Sequence, residues 1–195
     1  MRERVASRQR KTTETMVEVD LHLDGTGKAE IEMDIPFFPH LLTSLAFYAS
    51  WDLRLAALGD VALVDAHHTV EDVGIVLGEA LAECLGDKKG IRRFATVFIP
   101  MDEALSMVSL DCSGRPYLFY ETVALAERVG EFETTLVEEF LRAFTYSARI
   151  TLHAKIWWGK NAHHCLESLF KALGKALHEA TTVSGEIIPS TKGIL

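Results

Sequence analysis

Two spacings of apolar residues alternate along the chain. Met16-Val-Glu-Val-Asp-Leu-His-Leu-Asp24 puts an apolar side chain at every second position, the signature of a strand with one buried face. Gly25-Thr-Gly27 interrupts it and Lys28-Ala-Glu-Ile-Glu-Met33 resumes it, which predicts a hairpin partner. Between Phe37 and Trp51 the period lengthens, with Phe37, Leu41, Leu45 and Tyr48 at helical spacing and Pro36 near the first turn. Asp52–Leu55 and Val61–Val64 read as short strands around Gly59-Asp60. Val70, Val73, Leu77, Leu81 and Cys84 then mark one face of a helix over 69–85, which Gly86 ends. Residues 4–15, ahead of all this, are polar and basic.

The pattern then begins again. Strands are predicted over 93–99, 104–110 and 116–120, with Asp111-Cys-Ser-Gly114 turning the chain between the last two. A helix over 134–146, an apolar strand over 148–158 and a closing helix over 165–180 follow, the last with Leu166, Phe170, Leu173 and Leu177 on one face. The second half reads strand, strand, strand, helix, strand, helix, and the first is read as its copy, with two strands marked before its first helix. The implied fold is α+β, a two-layer arrangement with an internal duplication of a β-β-β-α-β-α unit, residues 1–91 and 92–195 forming one intertwined domain. The tail 185–195 is rich in Gly, Ser and Thr.

One motif repeats with the fold. Asp65-Ala-His67-His68-Thr-Val-Glu71-Asp72 reappears as Asn161-Ala-His163-His164-Cys-Leu-Glu167. At a helix start, the first His and the Glu are one turn apart and share a face. The adjacent His residues diverge by about 100° and cannot share it. Each pair therefore serves two metal ions, one held with its own Glu and one held with the other motif, in a dinuclear site of pseudo-twofold symmetry. Alone, a His-His pair at a helix start is unremarkable; its duplication with Glu at the same offset is not. Aligning Phe37-Phe-Pro-His40-Leu-Leu with Leu136-Val-Glu-Glu139-Phe-Leu makes His40 and Glu139 symmetry mates, each adding one ligand to one ion. Singly, His40 would read as a helix histidine and Glu139 as a surface acid.

Composition narrows the partners. At 195 residues, with 48% hydrophobic and 25% charged, the chain has the length and balance of a soluble globular protein. A net charge of -8 argues against a polyanion-binding surface, so no nucleic-acid partner is expected, although local Arg and Lys can hold a small phosphate. Cys84, Cys112 and Cys165 are an odd set without Cys-x-x-Cys spacing, which disfavours a disulfide frame or zinc knot and fits a reducing cytoplasm. Met1-Arg-Glu-Arg-Val lacks the apolar run of a signal peptide, and no run of about eighteen apolar residues exists to span a membrane.

Six ordered stretches resemble the imidazoleglycerol-phosphate dehydratase family over essentially the whole chain. They are Asp65-Ala-His-His-Thr-Val-Glu-Asp-Val-Gly74, Leu85-Gly-Asp-Lys-Lys-Gly-Ile-Arg-Arg93-Phe, Pro100-Met-Asp-Glu-Ala, Asp111-Cys-Ser-Gly-Arg115-Pro, Asn161-Ala-His-His-Cys-Leu-Glu-Ser-Leu-Phe-Lys171-Ala and Ser190-Thr-Lys192-Gly-Ile-Leu. The resemblance implies a duplicated fold of the ribosomal S5 domain 2 type and twenty-four subunits in octahedral symmetry with active sites between subunits. It also implies a lyase of histidine biosynthesis that dehydrates imidazole glycerol phosphate to imidazole acetol phosphate, using two Mn²⁺ that bind the imidazolate. By motif, one ion would be held by His40, His68, His163 and Glu167, and the other by His67, Glu71, His164 and Glu139. Imidazole and carboxylate without thiolate suit a six-coordinate Mn²⁺ better than a structural zinc.

Glu14, in Thr12-Thr-Glu14-Thr15, matches a family glutamate that contacts substrate and is the candidate acid/base, with Glu167 as a second. Arg93, Arg115, Lys171, Ser190 and Lys192 match the family's phosphate-binding positions. The chain departs from the family pattern at Pro39 and Leu41 beside His40, at Tyr48 where the family has a His, and at Glu139 where it has a metal-binding His. Those departures leave two alternatives: a metal-binding paralogue with impaired turnover and a structural or regulatory role, or a lyase for a related azole phosphate.

Overall fold

The structure is a computed structural model that describes residues 3–195. Its first half contains β1 (Val5–Lys11), β2 (Thr15–His22), β3 (Ala29–Met33), α1 (Phe38–Ala49), β4 (Asp52–Gly59) and α2 (His67–Leu85). The second half contains β5 (Phe94–Met101), β6 (Ala104–Asp111), β7 (Tyr117–Glu121), the two-residue strands β8 (Arg128–Val129) and β9 (Phe132–Glu133), α3 (Leu136–Ala148), β10 (Thr151–Trp158) and α4 (Ala162–Thr181). Strand order is β1-β2-β4-β3 in one four-stranded sheet and β5-β6-β10-β7 in the other. In both, the first three strands are antiparallel neighbours and the edge strand runs parallel to the last-formed one. The duplication is thus present in topology, and the architecture is two-layer α/β.

Three local expectations give way. Lys28–Met33 does not fold back on β2; β3 lies on the far side of β4, parallel to it from Ala29↔Leu53 to Met33↔Ala57. Asp52 is the reason, because its Oδ1 accepts the Thr26 and Lys28 N–H groups at 2.8 and 3.1 Å and carries the glycine loop across the sheet. Val61–Val64 is a turn instead of a strand, with the Leu63 and Val64 N–H groups donating to the Asp60 carbonyl at 2.8 and 2.9 Å. The third strand of the first half comes from the polar, basic N-terminal stretch. β1 pairs with β2 along its whole length, yet only Ala6 is buried, and the guanidinium groups of Arg8 and Arg10 reach across to Glu83 and Asp72 of α2, each at 2.8 Å. The small β8–β9 hairpin was not anticipated; its Phe132 is buried and stacks on Phe38 with ring centroids 5.6 Å apart.

Each sheet buries one face, Val17, Val19, Leu21, Leu53 and Leu55 in the first and Val108, Leu110, Leu152 and Ala154 in the second. α2 covers the first sheet and α4 the second. The other two helices change sides: α1 packs on α4, and α3 packs on α2. These crossings are so close that only glycine fits. A Cβ on Gly78 would lie 2.6 Å from the Phe144 carbonyl oxygen, and one on Gly174 would lie 2.4 Å from that of Leu45. Phe144 occupies in α3 the place of Leu45 in α1, so one contact is made twice. The same repetition closes the two helices, at Ser50 and Arg149, both left-handed with φ 58° and 54°.

Candidate active site

The second His-His motif opens α4. Asn161 caps the helix by accepting the His163 N–H at 2.9 Å. One turn apart, His163 Nε2 and Glu167 Oε2 meet at 3.0 Å, and α1, lying on α4, brings His40 Nε2 to the same oxygen at 3.0 Å. A further turn on, the Lys171 ammonium donates to Glu167 Oε1 at 2.8 Å. Burial opposes charge on Glu167, but hydrogen bonds from Lys171, His40 and His163 outweigh it and hold the carboxyl at about 2. Phe37 caps this assembly with its ring centroid 4.8 Å from that of His163 and 5.9 Å from that of His40. Its backbone is left-handed at φ 71°, a costly conformation for a bulky residue, kept at the residue that introduces α1.

One ligand atom each from His40, His163 and Glu167 lies within 4.8 Å of the others. Two imidazoles and one ionised carboxylate converging on a partly open point fit a borderline-hard divalent ion with room for further ligands. His68 is not part of this trio. It forms a second group with Glu14 and Asp60, its Nδ1 3.1 Å from Asp60 Oδ2 and 3.8 Å from Glu14 Oε2. The Asp60 carboxylate raises the His68 pKa above its ordinary value.

In the first half the motif opens α2 as its copy opens α4, with Asp65 Oδ1 accepting the His67 N–H at 2.8 Å. The pseudo-equivalents of His40, His163 and Glu167 are Glu139, His67 and Glu71. Among the described residues, none of these three joins a group of potential ligands. Two carboxylates and one imidazole offer fewer donors than the two imidazoles and one carboxylate of the first trio. His164, also expected in that set, turns its Nδ1 to Glu103 Oε2 at 2.9 Å. Hydrogen bonds from His164 and from the Asn161 and Lys160 N–H groups hold the Glu103 carboxyl at about 2, and Glu103 in turn raises the His164 pKa. Of the four ligands expected around one ion, three meet within the chain; the other four are not gathered within it.

The expected phosphate ligands also divide. Arg93, Arg115, Ser190 and Lys192 line one cavity of about 900 Å³, whereas Lys171 stands beside Glu167. Arg93 is held from both sides, its guanidinium donating to Asp111 Oδ1 and Oδ2 at 2.7 and 3.1 Å and to the Pro189 carbonyl at 2.8 Å. Arg115 is largely exposed, 3.5 Å from Asp111 Oδ2. Sequence reasoning missed Arg8, Lys88 and Arg149, which share the cavity. Burial lowers the Lys88 amine pKa. It also missed Asp60 and Glu103, although Glu103 lies inside a quoted motif; a carboxylate that orients a histidine from another element leaves no fixed spacing to read.

A model of the family described as imidazoleglycerol-phosphate dehydratase matches residues 33–177. The chain belongs to the imidazoleglycerol-phosphate dehydratase family. An imidazoleglycerol-phosphate dehydratase of Caldanaerobacter subterraneus subsp. tengcongensis is 56% identical over 98% of this chain and 100% of its own length. One of Clostridium botulinum (strain Langeland) is 51% identical over the full length of both chains. Among solved structures, the Pyrococcus furiosus dehydratase in complex with (S)-C348 superposes with a TM-score of 0.84 at 39% identity, covering 96% of this chain and 100% of that one. The Staphylococcus aureus imidazoleglycerol-phosphate dehydratase gives 0.80 at 38% identity, covering 92% and 99%. These relatives extend beyond the matched window to β1 and β2, where Glu14 lies. Among the described residues, no helix is long and apolar enough to cross a membrane.

Proposed function

We propose that this chain is a metal-dependent hydro-lyase of histidine biosynthesis that converts imidazole glycerol phosphate to imidazole acetol phosphate with two Mn²⁺ per active site. The convergence of His40, His163 and Glu167 in a chain of this family carries the reading. His68 would complete that set, and His67, Glu71, His164 and Glu139 would hold the second ion. When bound, the ions act as Lewis acids that favour loss of the ring proton and fix the ring in place. Glu167 is already ionised and need not shed a proton to serve as a ligand.

The reaction removes water from the glycerol arm. The C–O bond on the carbon next to the ring breaks and its hydroxyl leaves with a proton as water; the neighbouring carbon gives up its hydrogen. The resulting enol becomes the ketone when its hydroxyl gives up a proton and the ring-adjacent carbon gains one. Glu14, half exposed beside His68, is the group proposed to take and return these protons. Arg93, Arg115, Ser190 and Lys192 would hold the phosphate in their shared cavity, Arg by paired hydrogen bonds and Lys as a point charge. Lys171 is proposed to work on the metal side, as the charge that keeps Glu167 ionised.

A single chain does not gather either four-ligand set. We therefore read the active site as shared between subunits, in a cytoplasmic assembly of twenty-four copies. The test is formation of imidazole acetol phosphate by the assembled protein with added Mn²⁺, measured beside its metal content. Turnover with about two ions per chain is expected; stoichiometric metal without turnover overturns the enzyme reading. That outcome would favour the impaired paralogue, whose motivation is Glu139, a carboxylate where the family has an imidazole. Growth of a histidine auxotroph on this gene separates the native substrate from another azole phosphate.

A further inference from the structure

We infer that Glu103 is a positioning residue that holds the His164 imidazole with its proton on Nδ1, leaving Nε2 free to bind a metal ion. The inference rests on the metal-dependent reading above. Glu103 sits in the turn between β5 and β6, and its two oxygens divide their work. Oε1 accepts the Lys160 and Asn161 backbone N–H groups at 3.1 and 2.8 Å, tying the turn to the start of α4. Oε2 faces His164 Nδ1 at 2.9 Å. An ionised carboxylate only accepts hydrogen bonds, so Nδ1 must be the donor, and a neutral ring then carries its lone pair on Nε2. A carboxylate behind a ligating histidine fixes ring orientation and strengthens the ligand. His164 Nε2 faces away from Glu103, 3.8 Å from Asp102 on the exposed tip of the same turn.

The duplication supplies the second argument. Glu14 immediately precedes β2 as Glu103 immediately precedes β6, so the two glutamates are pseudo-equivalent. Their histidines are pseudo-equivalent too. In the first half, however, His68 Nδ1 is taken by Asp60 at 3.1 Å, and Glu14 stands off at 3.8 Å. Asp60 belongs to the connection from Gly59 to His67, which is longer than that from Gly159 to His163. The extra loop provides a separate orienting carboxylate and releases Glu14 for proton transfer. Among the described residues, His164 Nδ1 has no carboxylate partner other than Glu103.

Glu103→Gln separates positioning from anchoring. Its amide oxygen still accepts the two backbone N–H groups, which turns the NH₂ toward Nδ1 and drives the ring proton onto Nε2. Titration of the assembled protein with Mn²⁺, followed by the electron paramagnetic resonance signal of the free ion, should show one of two ions bound roughly 10–100-fold more weakly. The thermal midpoint of the metal-free variant should match the wild type. Glu131→Gln, on the exposed tip between β8 and β9, should bind both ions with wild-type affinity. A Glu103→Gln isotherm that overlays the wild type overturns the inference, as does a lowered metal-free midpoint that accounts for the loss. If the wild type turns over substrate while Glu103→Gln titrates normally, only this inference fails. If the wild type binds no Mn²⁺, the metal-dependent reading fails and takes the inference with it.

Discussion

The starts of α4 and α2 are copies of one motif, yet they behave differently. At α4, Glu167 stands between His163 and His40 and accepts from both. At α2, the corresponding positions hold Glu71, His67 and Glu139, and they do not come together. A carboxylate between two imidazoles and a lysine is satisfied by its neighbours; two carboxylates and one imidazole offer fewer donors to draw them together. A single exchange of His for Glu accompanies the difference between a half-site whose three side chains meet and one whose counterparts stay apart.

The sharpest way to break the comparison is at the paired glutamates. Glu14→Gln should lower turnover by about 10²–10⁴ with metal content unchanged, read by steady-state assay and metal analysis; a comparable loss in metal binding would erase the distinction between Glu14 and Glu103. Next in size are Glu167→Gln and Glu71→Gln. If metal brings both half-sites to the same state, each should weaken one ion by at least the roughly 10–100-fold that follows loss of an orienting partner. Unequal losses in a Mn²⁺ titration would mean that the asymmetry survives loading. Gly78→Ala and Gly174→Ala probe the scaffold in place of the site. Each forces a methyl group against backbone and should cost about 1–3 kcal/mol in denaturant unfolding, with Gly174 the more sensitive because its clash is tighter.

The smallest effect concerns acid. The Glu167 carboxyl, ordinarily near 4.5, is held at about 2 in the fold. The unfolded chain therefore takes up this proton first, and the stabilising contribution is whole above about 4.5 and drains away as pH falls toward 2. In metal-free protein, Glu167→Gln should flatten that limb of the thermal stability profile; an unchanged profile would show that the hydrogen bonds around Glu167 add nothing to folding.

Legibility in the sequence followed physical locality. Repeated helices, their apolar faces and the placing of both His-His motifs at helix starts were readable because spacing within one element fixes them. The open edge strand β1 was not, since one buried residue leaves no alternation to detect. The placement of β3 was not either, because Asp52, distant in sequence, steers the loop. In the site, the duplication marked His40 as one half of a pair with Glu139 and the family resemblance set it beside His163 and Glu167, but neither showed the separation of His68 from that trio. It depends on Asp60, in a stretch whose apolar Val61–Val64 imitates a strand while Leu63 is 89% exposed.

The packing of α1 on α4 and of α3 on α2 bears on ancestry. A half-length chain with this fold would have left the glycine-lined face of its longer helix without a partner, since the helix that fills it comes from the other half. Two copies of such a half, set helix against helix, would fill both faces. Within one chain the copies need not be identical, and His40 and Glu139 are where they part.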